Sequence, residues 1–212
     1  IYWGVGNPAP DWDREYRPGD NLYSNSVIAL DPATGEIKFH FQYLPNDPFD
    51  YDGVNELVLA DSEIGGKQRQ IMLHADRNGF LYAIDRTNGK FVYGLPYVKE
   101  LNWTAGLDPV TGLPVDYDPE KDIQEYAGVA SSRSRPNSDI FCPGVMGGKN
   151  WMPMTYHPIR ETLYIPVTES CTITKTQAVE VDGAPIPREW FTGGGLSNPR
   201  TFTGSLTAVN VR

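Results

Sequence analysis

Hydrophobic and polar residues alternate along much of this chain with a period of two. In the stretch Phe39, Phe41 and Tyr43, every second residue is aromatic, which places these rings on one face of a β-strand. Strand-like sequence also opens the chain at Ile1 and closes it at Arg212. No stretch combines the length and the periodicity of a long helix. The pattern therefore predicts an all-β protein built from short strands.

One hairpin unit recurs along the chain. Residues 29–39 (ALDPATGEIKF) and 83–93 (AIDRTNGKFVY) each consist of a strand, an Asp-x-x-x-Gly turn and a second strand. The aspartate caps its own backbone, and the glycine supplies the positive φ of a tight turn. Residues 107–113 carry the turn with weak flanking strands, and residues 206–210 begin a further unit. Hairpin repeats of about 40–50 residues predict β-propeller blades, with separate hairpins of a β-sandwich as the alternative.

Composition supports a turn-rich β-protein and narrows its partners. The chain has 212 residues, of which 12% are aromatic, together with 21 glycines and 18 prolines. Its net charge of −9 argues against a nucleic-acid partner, because little would neutralise phosphates. No segment is apolar and long enough to span a membrane. Two polar segments, residues 116–138 and 178–195, are predicted to be long surface excursions.

Four polar segments beside the predicted strands are candidates for a chemical site. Asp50 and Asp52 lie two residues apart in an extended loop, where two carboxylates can share one hard cation and one can accept a proton. Each segment alone also fits an ordinary turn. The segments are residues 4–10 with 17–21 (GVGNPAP and RPGDN), 46–56 (NDPFDYDGVNE), 74–79 (HADRNG) and 142–151 (CPGVMGGKNW).

Taken together, these segments resemble the quinoprotein alcohol dehydrogenases, whose cofactor is pyrroloquinoline quinone (PQQ). The strings G-x-G-N-P, R-P-G-D-N, D-Y-D-G-x-N-E, D-R-N-G and C-P-G-x-x-G-G-K-N-W follow the family's order over nearly the whole chain. The resemblance implies an eight-bladed propeller, of which residues 1–212 form an internal part that is incomplete at both ends. It also implies a periplasmic enzyme that oxidises a primary alcohol to an aldehyde, passes electrons to a c-type cytochrome, and forms a homodimer or larger assembly.

The resemblance assigns a role to individual residues. Asp50 matches the catalytic aspartate, which accepts the hydroxyl proton and ligates the metal. Asn7 matches an asparagine beside the cofactor whose amide oxygen binds the active-site ion. Arg77 matches the arginine that hydrogen-bonds the quinone oxygens as negative charge develops on them. Asn150 matches an asparagine at the cofactor edge, and Trp151, which follows it, is expected to be a further cofactor contact.

Asp52 bears on the identity of the metal. Calcium-dependent relatives usually carry a small residue two positions after the catalytic aspartate, whereas an aspartate there marks the lanthanide-dependent branch. The resemblance therefore implies a lanthanide ion held by Asn7, Asp50 and Asp52, because a trivalent ion is better neutralised by one more carboxylate. The alternatives are a Ca²⁺-dependent ethanol or methanol dehydrogenase, in which Asp52 only begins a turn before Gly53, and a non-catalytic propeller scaffold with the same repeats.

The remaining residue predictions concern cysteine, phenylalanine and histidine. Cys142 and Cys171 form no Cys-x-x-Cys pair, so zinc binding and haem attachment are not indicated. Family members carry a disulfide at this spacing, so the resemblance implies a Cys142–Cys171 bridge, with two reduced cysteines as the alternative. Phe49 replaces a tryptophan of many relatives, which predicts either a wider substrate pocket or a conservative exchange. His74 is expected to pack near the site rather than to bind a metal.

Overall fold

The computed structural model describes residues 1–179 and 192–212, which fold into antiparallel β-sheets. Within this part of the chain the only helical segment is a single 3₁₀ turn, Arg14–Tyr16. None of the described helices could cross a membrane. The all-β class predicted from the alternating pattern is confirmed.

The strands pair with their neighbours in the chain. The sheets have the orders β1-β2-β3, β4-β5-β6-β7, β12-β9-β8 and β10-β11. The second of these is a four-stranded meander, the arrangement of a propeller blade. In chain order the strands are β1 (Tyr2–Val5), β2 (Ser26–Leu30), β3 (Ile37–Gln42), β4 (Val58–Ile64), β5 (Lys67–Ala75), β6 (Phe80–Asp85), β7 (Phe91–Pro96), β8 (Thr155–His157), β9 (Thr162–Glu169), β10 (Ile173–Thr176), β11 (Gly194–Ser197) and β12 (Thr203–Asn210).

The repeated turn folds in the same way in both complete units. Between β2 and β3, Asp31 Oδ1 accepts a hydrogen bond from the Ala33 N–H at 2.9 Å, and the Gly35 N–H donates to the Asp31 carbonyl at 2.8 Å. Between β6 and β7, the Gly89 N–H donates to the Asp85 carbonyl at the same distance. Both glycines have a φ of 76°. The turn chemistry predicted from Asp-x-x-x-Gly is present.

The weaker hairpin unit at residues 107–113 and the two polar segments, residues 116–138 and 178–195, agree with their predicted structures in part. Asp108 forms the same turn, flanked only by a single bridge between Leu107 and Pro114. Residues 116–138 contain no strand, but they are not wholly at the surface, since Tyr126 is fully buried. Of the other predicted excursion, residues 180–191 lie outside the described residues, and its end contributes β11.

The four-stranded sheet is buried on both faces. Leu73 of β5 and Leu81 of β6 belong to a hydrophobic cluster with Ile165 of β9. From the opposite face, Met72 and Tyr82 belong to a second, aromatic-rich cluster. Alternate residues of each strand point to opposite faces of a sheet, so this sheet is packed between two neighbours as a propeller blade is. The polar loops at the strand ends are positioned by this packing.

Candidate active site

Hydrogen bonds connect all six residues that the sequence proposes for the site, with Trp151 linked through Asn150. The backbone N–H of Asn7 donates to Asp52 Oδ1 at 3.0 Å. Asp52 Oδ2 forms an ion pair with Arg77 at 2.7 Å. Arg77 also donates to the backbone carbonyl of Asp50 at 3.2 Å and to Asn150 Oδ1 at 3.4 Å. The loops after β1, β3 and β5 and the segment before β8 therefore meet around the guanidinium of Arg77.

Asp50 is held in an unusual backbone conformation with its carboxylate unpaired. Its φ of 63° lies in the left-handed region, which aspartate tolerates better than most residues. Among the described residues, no donor is hydrogen-bonded to its carboxylate. Burial, together with the charges of Asp47, Asp11 and Asp52, raises the pKa of Asp50 to about 8, against the opposing effect of Arg77. Asp50 is thus a partly buried carboxylate that needs a proton or a cation.

Asp47 organises the loop that carries Asp50. Its Oδ1 accepts from the Phe49 N–H and its Oδ2 from the Tyr51 N–H, both at 2.8 Å. The side-chain amide of Asn25 donates to Oδ2 at 3.0 Å. Asp47 is fully buried, and burial raises its pKa to about 7 even though these bonds favour the ionised form. The sequence alone did not indicate this role of Asp47, although an aspartate two residues before a backbone amide is a common turn former.

Arg17 joins the first predicted segment to this loop. Its guanidinium donates to the backbone carbonyls of Pro10 at 2.7 Å, Asp11 at 2.8 Å and Asp47 at 2.5 Å. It also donates to Asn21 Oδ1 at 2.7 Å. The R-P-G-D-N string therefore acts structurally, through an arginine that satisfies the carbonyls of two loops. The string was recognised in the sequence, but this function of Arg17 was not.

Asp11 and the Glu56–Lys149 pair are further polar residues near the site that the sequence did not indicate. Asp11 accepts a hydrogen bond from the side-chain amide of Asn7 at 3.0 Å. Lys149 is fully buried and pairs with Glu56 at 2.7 Å, while its Nζ donates to the Asn150 carbonyl at 3.0 Å. Glu56 and Lys149 each lie inside a string that carried the resemblance. No spacing rule reveals the pair, because 93 residues separate its members.

Phe49 and Trp151, which flank the predicted site, differ in exposure. Phe49 is fully buried and packs against Phe141, with ring centroids 4.8 Å apart, and against Trp103 at 5.7 Å. It therefore supports the Asp50 loop from the core of the described residues, which favours the conservative exchange over the wider substrate pocket. Trp151 is 79% exposed, and only its backbone N–H bonds to Asn150.

His74 packs beneath the site, as expected. It is fully buried, its Nε2 lies 3.1 Å from Asp76 Oδ2, and its ring stacks on Tyr43 with centroids 4.5 Å apart. Asp76 immediately precedes Arg77, and its Oδ1 accepts the Asn78 N–H at 2.9 Å. This buried pair fixes the backbone from which Arg77 projects.

Cys142 and Cys171 form a disulfide, as the resemblance implies. Among the described residues, the only three ligand-type side chains whose donor atoms all lie within 4.8 Å of one another are these cysteines and Glu100. Because both sulfurs are bonded to each other, this group is not a metal site. The carboxylates of Asp11, Asp50 and Asp52 are spaced more widely than that.

Comparisons with known proteins give a consistent picture. The family model for the β-propeller domain of glucose, ethanol and alcohol dehydrogenases matches residues 1–100. The quinoprotein alcohol dehydrogenase PedH of Pseudomonas putida is 46% identical over 169 residues, which are 80% of this chain and 27% of that protein. A quinohemoprotein alcohol dehydrogenase of Comamonas testosteroni is 36% identical over 211 residues, 98% of this chain and 26% of that protein.

Solved structures agree with these sequence matches. The crystal structure of the Comamonas testosteroni quinohemoprotein alcohol dehydrogenase superposes with a TM-score of 0.80 at 33% identity, over 99% of this chain and 31% of that one. A europium-containing methanol dehydrogenase superposes with a TM-score of 0.74 at 33% identity, over 87% of this chain and 30% of that one.

The chain belongs to the quinoprotein alcohol dehydrogenase family. It spans about a quarter of the length of the curated relatives that it matches. The predicted propeller architecture is confirmed, with this chain supplying part of the propeller.

The residues present fit the cation that this family requires. Asn7, Asp50 and Asp52 offer only oxygen ligands, which hard cations prefer. Asn7 donates through Nδ2 to Asp11 and Pro8, so its Oδ1 remains as the ligand atom. Burial, and then the charges of Asp47, Asp11 and Asp52, raise the pKa of Asp50 more than Arg77 lowers it. A bound cation would favour the ionised carboxylate.

The residues also fit a quinone beside that cation. The guanidinium of Arg77 forms only one short bond, to Asp52, and its other contacts are 3.2–3.4 Å long. Its Nε is buried and has no partner among the described residues. The arginine therefore retains donor capacity for an anionic or carbonyl oxygen. Asn150 is bonded to the same guanidinium, and its place at the cofactor edge stays a prediction from the resemblance.

Proposed function

We propose that the protein containing this chain is a PQQ-dependent alcohol dehydrogenase that oxidises a primary alcohol to an aldehyde. The observation that carries this proposal is the pairing of Asp50 with Arg77. A carboxylate with no hydrogen-bond donor among the described residues lies beside a guanidinium with spare donor capacity. The carboxylate can accept a proton, and the guanidinium can stabilise developing negative charge. The named alcohol dehydrogenases among its relatives support the same reaction.

Asp50 acts as the general base in this proposal. Its ionised carboxylate accepts the proton of the alcohol hydroxyl and is oriented by the loop that Asp47 holds. Arg77, fixed by its ion pair with Asp52, donates hydrogen bonds toward the oxygens that become more negative. PQQ, when bound, supplies the two-electron acceptor of the reaction. Asn150 helps to keep the guanidinium in place through its Oδ1.

Asp52 favours a lanthanide over Ca²⁺ as the metal. With Asn7 and Asp50 it provides two carboxylates and one amide oxygen, and the added charge suits a trivalent ion. Each oxygen of Asp52 already accepts one N–H, from Asn7 or Arg77. A carboxylate oxygen has two lone pairs, so these bonds leave room for a metal ligand bond. The cation would supply Lewis-acid polarisation and would keep Asp50 ionised.

The electron acceptor and the compartment complete the proposal. A c-type cytochrome is the proposed acceptor, and the likeness to a quinohemoprotein supports it. The disulfide between Cys142 and Cys171 supports an oxidising compartment, proposed to be the periplasm. The homodimer or larger assembly remains a prediction from the resemblance.

The test is reconstitution of the full-length protein with PQQ and either La³⁺ or Ca²⁺, followed by dye reduction with primary alcohols. We expect a quinone absorption band and alcohol-dependent turnover that is higher with La³⁺. The Asp52→Ala variant should lose at least about tenfold of its La³⁺-dependent turnover, since one carboxylate is gone. Higher activity of the natural protein with Ca²⁺ would exclude the lanthanide assignment. Absence of both band and turnover would favour a non-catalytic propeller scaffold.

A further inference from the structure

Asp11 lies beside the proposed metal ligand Asn7. Its side chain is only 7% exposed, and its Oδ1 accepts a hydrogen bond from Asn7 Nδ2 at 3.0 Å. Arg17 holds the backbone of Asp11 by donating to its carbonyl at 2.8 Å. The backbone that carries this carboxylate is thus fixed by a contact outside the metal site.

An ionised carboxylate can only accept hydrogen bonds, which determines how the neighbouring amide is oriented. The NH₂ group of Asn7 must face Asp11, and its Oδ1 must then point away from Asp11. No donor among the described residues is bonded to that oxygen. The backbone N–H of Asn7 donates to Asp52 at 3.0 Å, so main chain and side chain are held by two different aspartates.

We propose that Asp11 is a positioning residue for the cation, which it serves by orienting the amide of Asn7 with the oxygen toward the metal. This inference rests on the proposed function, because it needs Asn7 to ligate a cation. Hard cations bind amide oxygen rather than amide nitrogen. An amide that is already turned the right way need not be reoriented on binding, so the loss of Asp11 weakens affinity without removing a ligand.

Two substitutions separate the hydrogen bond of Asp11 from its charge. Asp11→Asn removes the charge but keeps an oxygen that can accept from Asn7. Asp11→Leu keeps the branching at Cγ, although it is larger, and removes both. Asp13→Asn is the matched control, since it removes a buried charge two residues away whose carboxylate pairs with Arg133 at 2.8 Å.

The measurement is Eu³⁺ affinity of the full-length, PQQ-loaded proteins, by luminescence titration, with thermal unfolding of each variant recorded in parallel. We expect Asp11→Leu to bind Eu³⁺ at least about tenfold more weakly than Asp11→Asn, and Asp13→Asn to stay within about threefold of the natural protein. Equal affinity of the Leu and Asn variants would overturn the inference, because charge alone would then explain the effect of Asp11.

The outcomes also distinguish this inference from the proposed function. If the natural protein does not bind Eu³⁺, the metal assignment fails and the inference fails with it. If the natural protein binds Eu³⁺ and both variants at position 11 match it, only the role of Asp11 is wrong. Should the Leu variant not fold, Asp11→Ala takes its place, since it also lacks the acceptor.

Discussion

The surroundings of Asp50 favour the binding of either a proton or a cation to its carboxylate. Its backbone has a left-handed conformation, and Asp47 accepts hydrogen bonds from the backbone N–H groups of the residues before and after it, Phe49 and Tyr51. Its carboxylate has no donor among the described residues, and burial, together with the charges of three other aspartates, raises its pKa to about 8. A strained, unpaired and electrostatically repelled carboxylate is costly for folding, which is typical of functional positions.

This pKa makes the affinity for the cation depend on pH. A carboxyl group with a pKa near 8 holds its proton at lower pH, so a cation must displace that proton to bind. Between pH 6 and pH 8 the apparent Eu³⁺ affinity of the PQQ-loaded protein is therefore expected to rise, by up to about tenfold per pH unit. Luminescence titrations at pH 6, 7 and 8 measure this slope.

The control for the pH dependence is Asp50→Asn. It removes the titrating group but keeps an oxygen of the same geometry, so its Eu³⁺ affinity should be lower and nearly independent of pH over this range. A slope that persists unchanged in Asp50→Asn would assign the proton to another carboxyl group, such as Asp11, whose pKa is also raised by burial.

At the residue scale the sequence identified the groups that face a ligand but not those that position them. Asn7, Asp50 and Arg77 stand in strings specific enough to be recognised, and the structure links them by hydrogen bonds. Asp47 and Asp11 act on amides two to four residues away or in another loop. Such contacts exist only once the loops have folded, so residue type and spacing alone did not reveal them.

At the scale of secondary structure, the Asp-x-x-x-Gly turns offer a matched pair of glycines. Gly35 and Gly89 occupy the same position of the unit with the same φ of 76°. A Cβ on Gly35 would meet no atom within 4 Å, whereas one on Gly89 would lie 2.5 Å from a ring carbon of Phe39. The second turn therefore packs directly against the preceding hairpin.

Substitution of these glycines by alanine should separate backbone strain from packing. Gly35→Ala meets only the cost of a positive φ, about 1 kcal/mol of the free energy of unfolding. Gly89→Ala adds a collision with Phe39, for a total of about 3 kcal/mol. Urea unfolding of the two variants measures both values. Equal losses would mean that the ring of Phe39 moves aside freely and that the contact between hairpins contributes little.

Strands were predicted best where a turn signal marks them. The units around β2–β3 and β6–β7 were located from their aspartate and glycine. The β4–β5 hairpin is closed by Gly65 and Gly66, with φ of 60° and 73°, the conformation of a two-residue type I′ turn. This Gly-Gly signal was present in the sequence and was not used. The short strands β8, β10 and β11 are defined mainly by pairing with distant strands, which sequence periodicity does not contain.

Across the whole molecule, the site is held together by contacts between distant segments. The disulfide joins residues 29 apart, and it ties the segment that leads to Asn150 to the end of β9. The Glu56–Lys149 pair joins the acidic loop to the same segment. Glu56 accepts from Lys149 Nζ at 2.7 Å with one oxygen and from the Met154 N–H at 2.5 Å with the other. These two hydrogen bonds of Glu56 therefore fix the segment that carries Asn150 relative to the loop that carries Asp50.

The two members of this ion pair differ in exposure, which predicts unequal effects of mutation. The Lys149 side chain is fully buried, whereas that of Glu56 is one-third exposed. Glu56→Gln leaves a buried ammonium group without its counter-charge, at a cost of about 3 kcal/mol of the free energy of unfolding. Lys149→Met leaves a carboxylate that water can reach, so its cost should be about 1 kcal/mol. Burial already lowers the pKa of Lys149, and the glutamate opposes this shift.

Urea unfolding of the full-length single variants and of the Glu56→Gln/Lys149→Met double variant measures these costs. The double variant has no buried ammonium group, so it should be more stable than Glu56→Gln alone. If Lys149→Met instead costs as much as Glu56→Gln, then the loss of the Glu56–Lys149 link between the two segments, and not the burial of an unpaired ammonium group, sets both costs. In that case both variants should also displace Asn150 from Arg77, and they should weaken the quinone absorption band to the same extent.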